Sequence, residues 1–214
     1  MARIHVLGGT GHGGAAVVRE AARRGHAVTA YSRTTPTEPV DGVTYVQGSL
    51  LDNDLLAASV QDADVVFEAL SPRGDMAEEL GGLRDRLIKL ADEAGVRIGF
   101  LGGVSSVRVS EHGPRLFDVS DVPAEVLPEV ETGLVLLDTL QSSPGSLDWF
   151  YVSPAAEFGS WLPQVETGQY RINEGVLLKD DEGRSYISAA DLALAVLDEI
   201  EQPRYLRKRF HVAH

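Results

Sequence analysis

Residues 8–14 read Gly-Gly-Thr-Gly-His-Gly-Gly, between a short apolar run, Ile4-His5-Val6-Leu7, and a helix-like stretch from Ala15 to Arg24. A strand that enters a glycine turn and continues directly as a helix gathers unpaired amides and the positive end of a helix dipole at one point. That arrangement suits a dinucleotide pyrophosphate better than a bare connecting turn. Gly8 would make the tight turn, Gly11 would let backbone approach phosphate, and Gly14 would let helix and strand pack closely.

The chain continues in the same alternation. The pattern predicts strands at 27–31, 43–46, 64–69 and 96–101, a short helix at 52–60 and a longer one at 76–94. In the longer helix Met76, Leu80, Leu83, Leu87, Leu90 and Ala94 recur at steps of three and four, an apolar stripe suited to packing on a sheet. Glu78, Glu79, Arg84, Asp85, Lys89, Asp92 and Glu93 are expected to face water, with Gly95 as the C-cap. Strands separated by helices imply a Rossmann-like α/β fold: a doubly wound, mostly parallel sheet with helices on both faces.

Regularity breaks after Gly103. Residues 105–123 are polar and irregular, and a helix follows from Val126 or Glu129 to Leu140. A strand at 147–152 is stopped by Pro154, a longer loop covers 155–175, a helix at 189–200 starts behind Ser188 as N-cap, and a last strand lies at 209–213. The expectation is a single nucleotide-binding domain over 1–214 with a small irregular C-terminal substrate region, its pocket segments at 104–125 and 155–187.

The 214 residues carry a formal charge of −13, which argues against nucleic-acid or anionic-membrane partners and requires a locally positive site for any anionic cofactor. With no cysteine, disulfides, thiolate catalysis and thiolate metal sites are excluded. No apolar stretch is long enough to cross a membrane, and the first strand begins too early for a signal peptide to precede it. A cytoplasmic protein, monomer or homodimer, acting on a small molecule is the simplest expectation.

The second strand ends Tyr31-Ser32-Arg33-Thr34, without the acidic residue that holds the ribose hydroxyls in NAD sites of this type. Arg33 has the planar fork that pairs with a 2′-phosphate, and Ser32 and Thr34 can add hydrogen bonds. The pattern favours NADP(H) over NAD(H); the alternative is a solvated loop arginine.

With these segments the chain resembles the atypical short-chain dehydrogenase/reductase proteins. That group of NAD(P)H-binding proteins includes NmrA-like regulators, biliverdin-IXβ (flavin) reductase and bacterial NADH-flavin reductase-like proteins. The resemblance is carried by IHVLGGTGHGG with RGHAVTAYSR, by VTYVQGSLLDNDLLAASVQDADVVFEAL, by LGGVSS at 101–106, by LDWFYVSPAAEF at 147–158 and by the block at 166–203. It implies that Gly8, Thr10, Gly11, His12 and Gly14 form the pyrophosphate loop and that Ser32 and Arg33 flank the adenosine phosphate. It further implies that Ala69, Leu70 and Ser71 run past the nicotinamide ribose, that Gly102 and Gly103 follow the fifth strand, and that Pro154 and Ala155 lie near the carboxamide. Ser49 stands where the family usually has an Asp near the adenine, so the backbone of Ser49 and Leu50 is the expected substitute.

Classical members of the wider superfamily use a Tyr with a Lys four residues later. Here the only lysines are Lys89, Lys179 and Lys208, preceded four residues earlier by Asp85, Gly175 and Arg204. The pair is missing, which counts against alcohol, sugar-dehydrogenase and epimerase chemistry. Hydride transfer to a flavin or quinone-like acceptor does not require it, because proximity and the nicotinamide supply the chemistry. The flavin would then be a substrate, not a prosthetic group. Ser105, Ser106 and His112 are the candidate polar groups, each also readable as a loop residue. Trp161, Tyr151 and Phe158 are the candidate pocket aromatics. The alternative function is a non-catalytic NADP(H)-sensing regulator.

Overall fold

The computed structural model describes residues 1–214. Eight strands form one sheet: β1 (Arg3–Leu7), β2 (Ala27–Ser32), β3 (Thr44–Gln47), β4 (Val65–Glu68), β5 (Arg97–Leu101), β6 (Trp149–Ser153), β7 (Arg171–Asn173) and β8 (Lys208–Ala213). Their order is β3-β2-β1-β4-β5-β6-β8-β7, and every pairing is parallel except β7 with β8. The fold is a parallel-dominated Rossmann-like α/β sheet with flanking helices and a smaller C-terminal region. Strand order reverses at β1, which lies between β2 and β4, so the crevice outside the strand ends there is the natural ligand position.

Both faces are covered, so the central strands are apolar on both sides. Helices α1 (His12–Arg23) and α6 (Ala189–Glu201) cover one face, packing Val17, Val18, Leu192 and Val196 against Ile4, Val6, Phe150 and Val152. Helices α2 (Asn53–Ala58), α3 (Leu80–Ala94) and α5 (Leu127–Gln141) cover the other, with Leu56, Leu83, Leu87 and Leu137 against Val66, Ile98 and Phe100. Each such leucine contributes about 1.5–3 kcal/mol by leaving water. The remaining helix, α4 (Leu116–Val119), is a single turn inside the polar stretch.

Local chemistry sets several helix ends. The Asp52 carboxylate accepts from the amides of Asp54 and Leu55 and starts α2. Ser188 accepts from the Asp191 amide at the head of α6. Gly95 closes α3 in the left-handed region, at φ 64°.

Three expectations are corrected. Helix α3 begins at Leu80, not at Met76: Gly74, at φ 63°, turns the chain into a 3₁₀ turn over Gly74–Met76, and Met76 reaches the core from that turn. Arg84 does not face water. It is 5% exposed because it sits four residues after Leu80 and three before Leu87, on the buried face. The 155–175 loop contains β7, whose antiparallel pairing with β8 satisfies backbone that a free loop would leave to water.

Candidate cofactor and acceptor site

The glycine run forms a tight cradle at the carboxyl end of β1. Gly8 has φ 83°, and a Cβ there would lie 2.7 Å from the Ala69 carbonyl oxygen, so only glycine fits against the end of β4. A Cβ on Gly14 would lie 2.2 Å from the Gly8 carbonyl oxygen, so α1 packs directly on the turn that introduces it. The amides of His12, Gly13 and Gly14 find no backbone carbonyl, and Gly11 supplies no side-chain cap. Free amides at a helix start, with backbone rather than side chains around them, fit a pyrophosphate. The Thr10 backbone lies in the same turn. His12 adds a buried Nε2 without a partner, and burial, with Arg19 nearby, pushes the pKa of its imidazole down.

Next in the sheet, Ser32 ends β2 and its hydroxyl donates to the Thr34 carbonyl. Arg33 is exposed and paired through Nη1 with Asp75 of the 3₁₀ turn. Past β3, the Ser49 hydroxyl accepts from the Leu51 amide, and the Leu50 side chain is buried in the core. Only backbone at Leu50 is therefore available to a ligand.

Beside the cradle lies a cavity of about 280 Å3 formed at the ends of β4, β5 and β6. Leu70, Gly102, Gly103, Ser105, Ser106, Tyr151, Pro154, Ala155, Phe158 and Trp161 of the sequence candidates line it. Cradle and cavity share a wall: the His12 and Phe158 ring centroids are 5.1 Å apart, and a Cβ on Gly13 would lie 2.5 Å from Leu101 Cδ2. Trp161 is 71% exposed and its indole covers Gly159. The Ser106 hydroxyl is buried without a partner. Ala69 and Ser71 flank Leu70 without lining the cavity, and His112 lies exposed in the 110–114 turn, outside it.

Tyr151 is a wall of this cavity with both hydrogen-bonding functions engaged. Its oxygen accepts from the Gly103 amide at 3.0 Å, and its hydroxyl donates to the Gly133 carbonyl at 3.2 Å. Burial pushes its pKa above the ordinary phenol range. The ring also fills the space where a Gly102 side chain would stand. Tyr151 therefore shapes the β5 turn and is a poor proton donor.

Sequence reasoning missed Glu68 and Arg84. Glu68 ends β4 fully buried, and its carboxylate accepts from Arg84 Nε at 2.9 Å, from Arg84 Nη2 at 3.4 Å and from the Leu70 amide at 2.6 Å. Arg84 also lines the cavity. The signal was present as an acid closing an apolar strand and an arginine at a core position of the α3 stripe. Two arginines of the C-terminal region are engaged within the fold: Arg171 holds the carbonyls of Lys179 and His214, and Arg184 pairs with Asp180 and Glu182.

Comparison with known proteins gives the family. A model of the NAD(P)H-binding family matches residues 8–203, and the chain belongs to that family. It is 32% identical to the uncharacterized protein YwnB of Bacillus subtilis over 214 residues, covering 98% of this chain and 97% of that one. A structure from Streptococcus pneumoniae, described as a candidate NADH-flavin reductase, aligns at a TM-score of 0.84 with 27% identity over the whole of both chains. A candidate epimerase from Bacteroides thetaiotaomicron aligns at 0.87 with 29% identity, covering all of this chain and 97% of that one. The fold and family are those of NAD(P)-binding, oxidoreductase-like proteins.

Proposed function

We propose that this chain is an NAD(P)H-dependent reductase that passes hydride from NADPH to a flavin or quinone-like acceptor. The observation that carries the reading is the shared wall between the glycine cradle and the mostly apolar cavity, through His12, Gly13, Leu101 and Phe158. A dinucleotide held at the cradle would have its reactive end directed to the ends of β4 and β5, beside the cavity. The nicotinamide supplies the hydride; the chain's residues bind, orient and exclude water.

The proton economy supports an acceptor that is reduced without a built-in acid. No Tyr–Lys pair exists, and Tyr151 has both of its hydrogen bonds committed within the fold. Epimerisation or alcohol oxidation would need a proton relay at this place. A reduced flavin or quinone can take its proton from water.

Arg33 is the group proposed to meet the 2′-phosphate. Its present partner, Asp75, is exposed, and such a pair contributes only about 0–1 kcal/mol, so the guanidinium is available to a dianion. The test is steady-state NADPH oxidation with FMN, FAD, riboflavin and a small quinone, on the wild type and on Arg33→Ala. Acceptor-dependent, saturable turnover with a raised KM for NADPH in the variant is the expected result. Tight binding of NADPH with no turnover across the panel would replace the reductase by a nucleotide-sensing regulator.

A further inference from the structure

The acceptor cavity has a cation in its wall whose charge is only partly used. Arg84 is 5% exposed and held by Glu68 through Nε and Nη2, while its Nη1 makes no hydrogen bond. The residue lines the cavity together with Leu70, Leu101, Val130, Tyr151 and Phe158. On this side its neighbours are mainly apolar and Glu68 is buried against it; on the other it borders a second hollow between α3 and α5, with Glu78, Asp85, Glu131 and Thr132. The other charged residues of the lining, Arg73 and Glu129, are paired with each other at 3.3 Å and are solvated. The Ser106 hydroxyl is a second unpartnered polar group of the same lining.

We propose that Arg84 is a catalytic residue whose free Nη1–H receives the oxygen of a planar, conjugated carbonyl acceptor and holds the negative charge that forms there on reduction. This inference rests on the reductase reading and narrows its substrate to acceptors that leave an oxyanion, such as quinones and the pyrimidine carbonyl edge of a flavin. The balance is simple. The C–H bond of the dihydronicotinamide breaks with its electron pair, a new bond to hydrogen forms on the acceptor, and the acceptor's conjugated π pair moves onto its carbonyl oxygen. The nicotinamide is oxidised, the acceptor is reduced by two electrons, and the oxyanion takes a proton from water after release. A fixed guanidinium stabilises that charge better beside a mainly apolar lining than in water, and it costs no reorganisation because Glu68 already holds it. The Glu68 pair has a second role in this arrangement: it fixes two of the guanidinium nitrogens and so aims the third.

The test reads binding as well as turnover. Lawsone, a hydroxynaphthoquinone that is an anion at neutral pH, mimics the charged product; its methyl ether is neutral and nearly the same shape. Both are titrated by calorimetry into the full chain with saturating NADP+, where no hydride is available. The wild type is expected to bind the anion at least about tenfold tighter, the scale of a hydrogen bond to a charged partner. Arg84→Lys keeps a cation for Glu68 but lacks the third nitrogen, and the preference should fall to within about twofold. The paired substitution Glu68→Gln with Arg84→Gln, which leaves no buried lone charge, should do the same. Equal binding of the two probes by the wild type overturns the proposal, as does a preference that survives in Arg84→Lys. Turnover with the acceptor panel but no anion preference would leave the reductase standing without this role for Arg84. Preference without turnover would retain an oxyanion-binding cavity and remove the reductase.

Discussion

Arg33 at the end of β2 is tied to Asp75 of the turn between β4 and α3, so the end of β2 and that turn are bridged by one exposed ion pair. If Arg33 serves a 2′-phosphate, Asp75 is its competitor. Asp75→Asn should then tighten NADPH binding a few-fold at low salt, an amount that fits the loss of an exposed pair worth about 0–1 kcal/mol, and leave NADH unchanged. The gain should shrink as ionic strength rises and charges are screened. Calorimetric titration of both nucleotides at two salt concentrations checks it. An equal effect on NADH would mean that Arg33 acts elsewhere.

Tyr151 leads to a prediction of the opposite kind. Its hydroxyl joins Gly103 after β5 to Gly133 in α5. Tyr151→Phe removes both hydrogen bonds; Gly103 is exposed and its amide can turn to water, so the loss costs about 0.5–1.5 kcal/mol of stability per bond. Because the phenol already donates to Gly133, the pH profile of turnover should keep its shape in the variant. Denaturant unfolding reads the first effect and a pH–rate series the second. A lost basic or acidic limb would make Tyr151 the proton source.

The parts of this molecule that were legible in the sequence are those with a short period or an obligatory residue. Gly8 and Gly14 stand where a side chain would collide with backbone, and Asp52, Ser188 and Gly95 cap helices by local chemistry. The parts that were not legible depend on partners distant in sequence. Arg84 reads as a surface charge until Glu68, sixteen residues earlier, closes the pair in the core. β7 has three residues and exists because β8 offers an edge. Tyr151 reads as a pocket aromatic, and its commitment to Gly103 and Gly133 follows from how β5 and α5 meet β6. His112 has the chemistry of a proton donor, but the turn at 110–114 holds it in solvent.

Asp191, in the first turn of α6, fastens the segment that follows Trp161. Its carboxylate is 1% exposed and accepts from the amides of Thr167 and Gly168, both at 2.8 Å, from the hydroxyls of Thr167 and Ser188, and lies 2.7 Å from His214 Nε2. Burial alone would raise its pKa; the Thr167 amide, His214, Ser188 and the Gly168 amide outweigh it and hold the carboxyl below its ordinary value. The folded pKa is thus lower than the unfolded one, near 3.9. The stabilisation is fully present above about pH 4 and is lost as pH falls through the lower folded value. Hydrogen exchange should therefore show Thr167 and Gly168 protected at pH 7 and opening progressively below about pH 4. Asp191→Asn keeps the shape but not the charge, so it should cost about 1–3 kcal/mol at neutral pH and flatten the acid slope of stability. It should also weaken acceptor binding, since Trp161 and Thr167 share one connecting loop. Unchanged protection of the two amides in the variant, or an acid slope equal to that of the wild type, would show that Asp191 does not hold this segment.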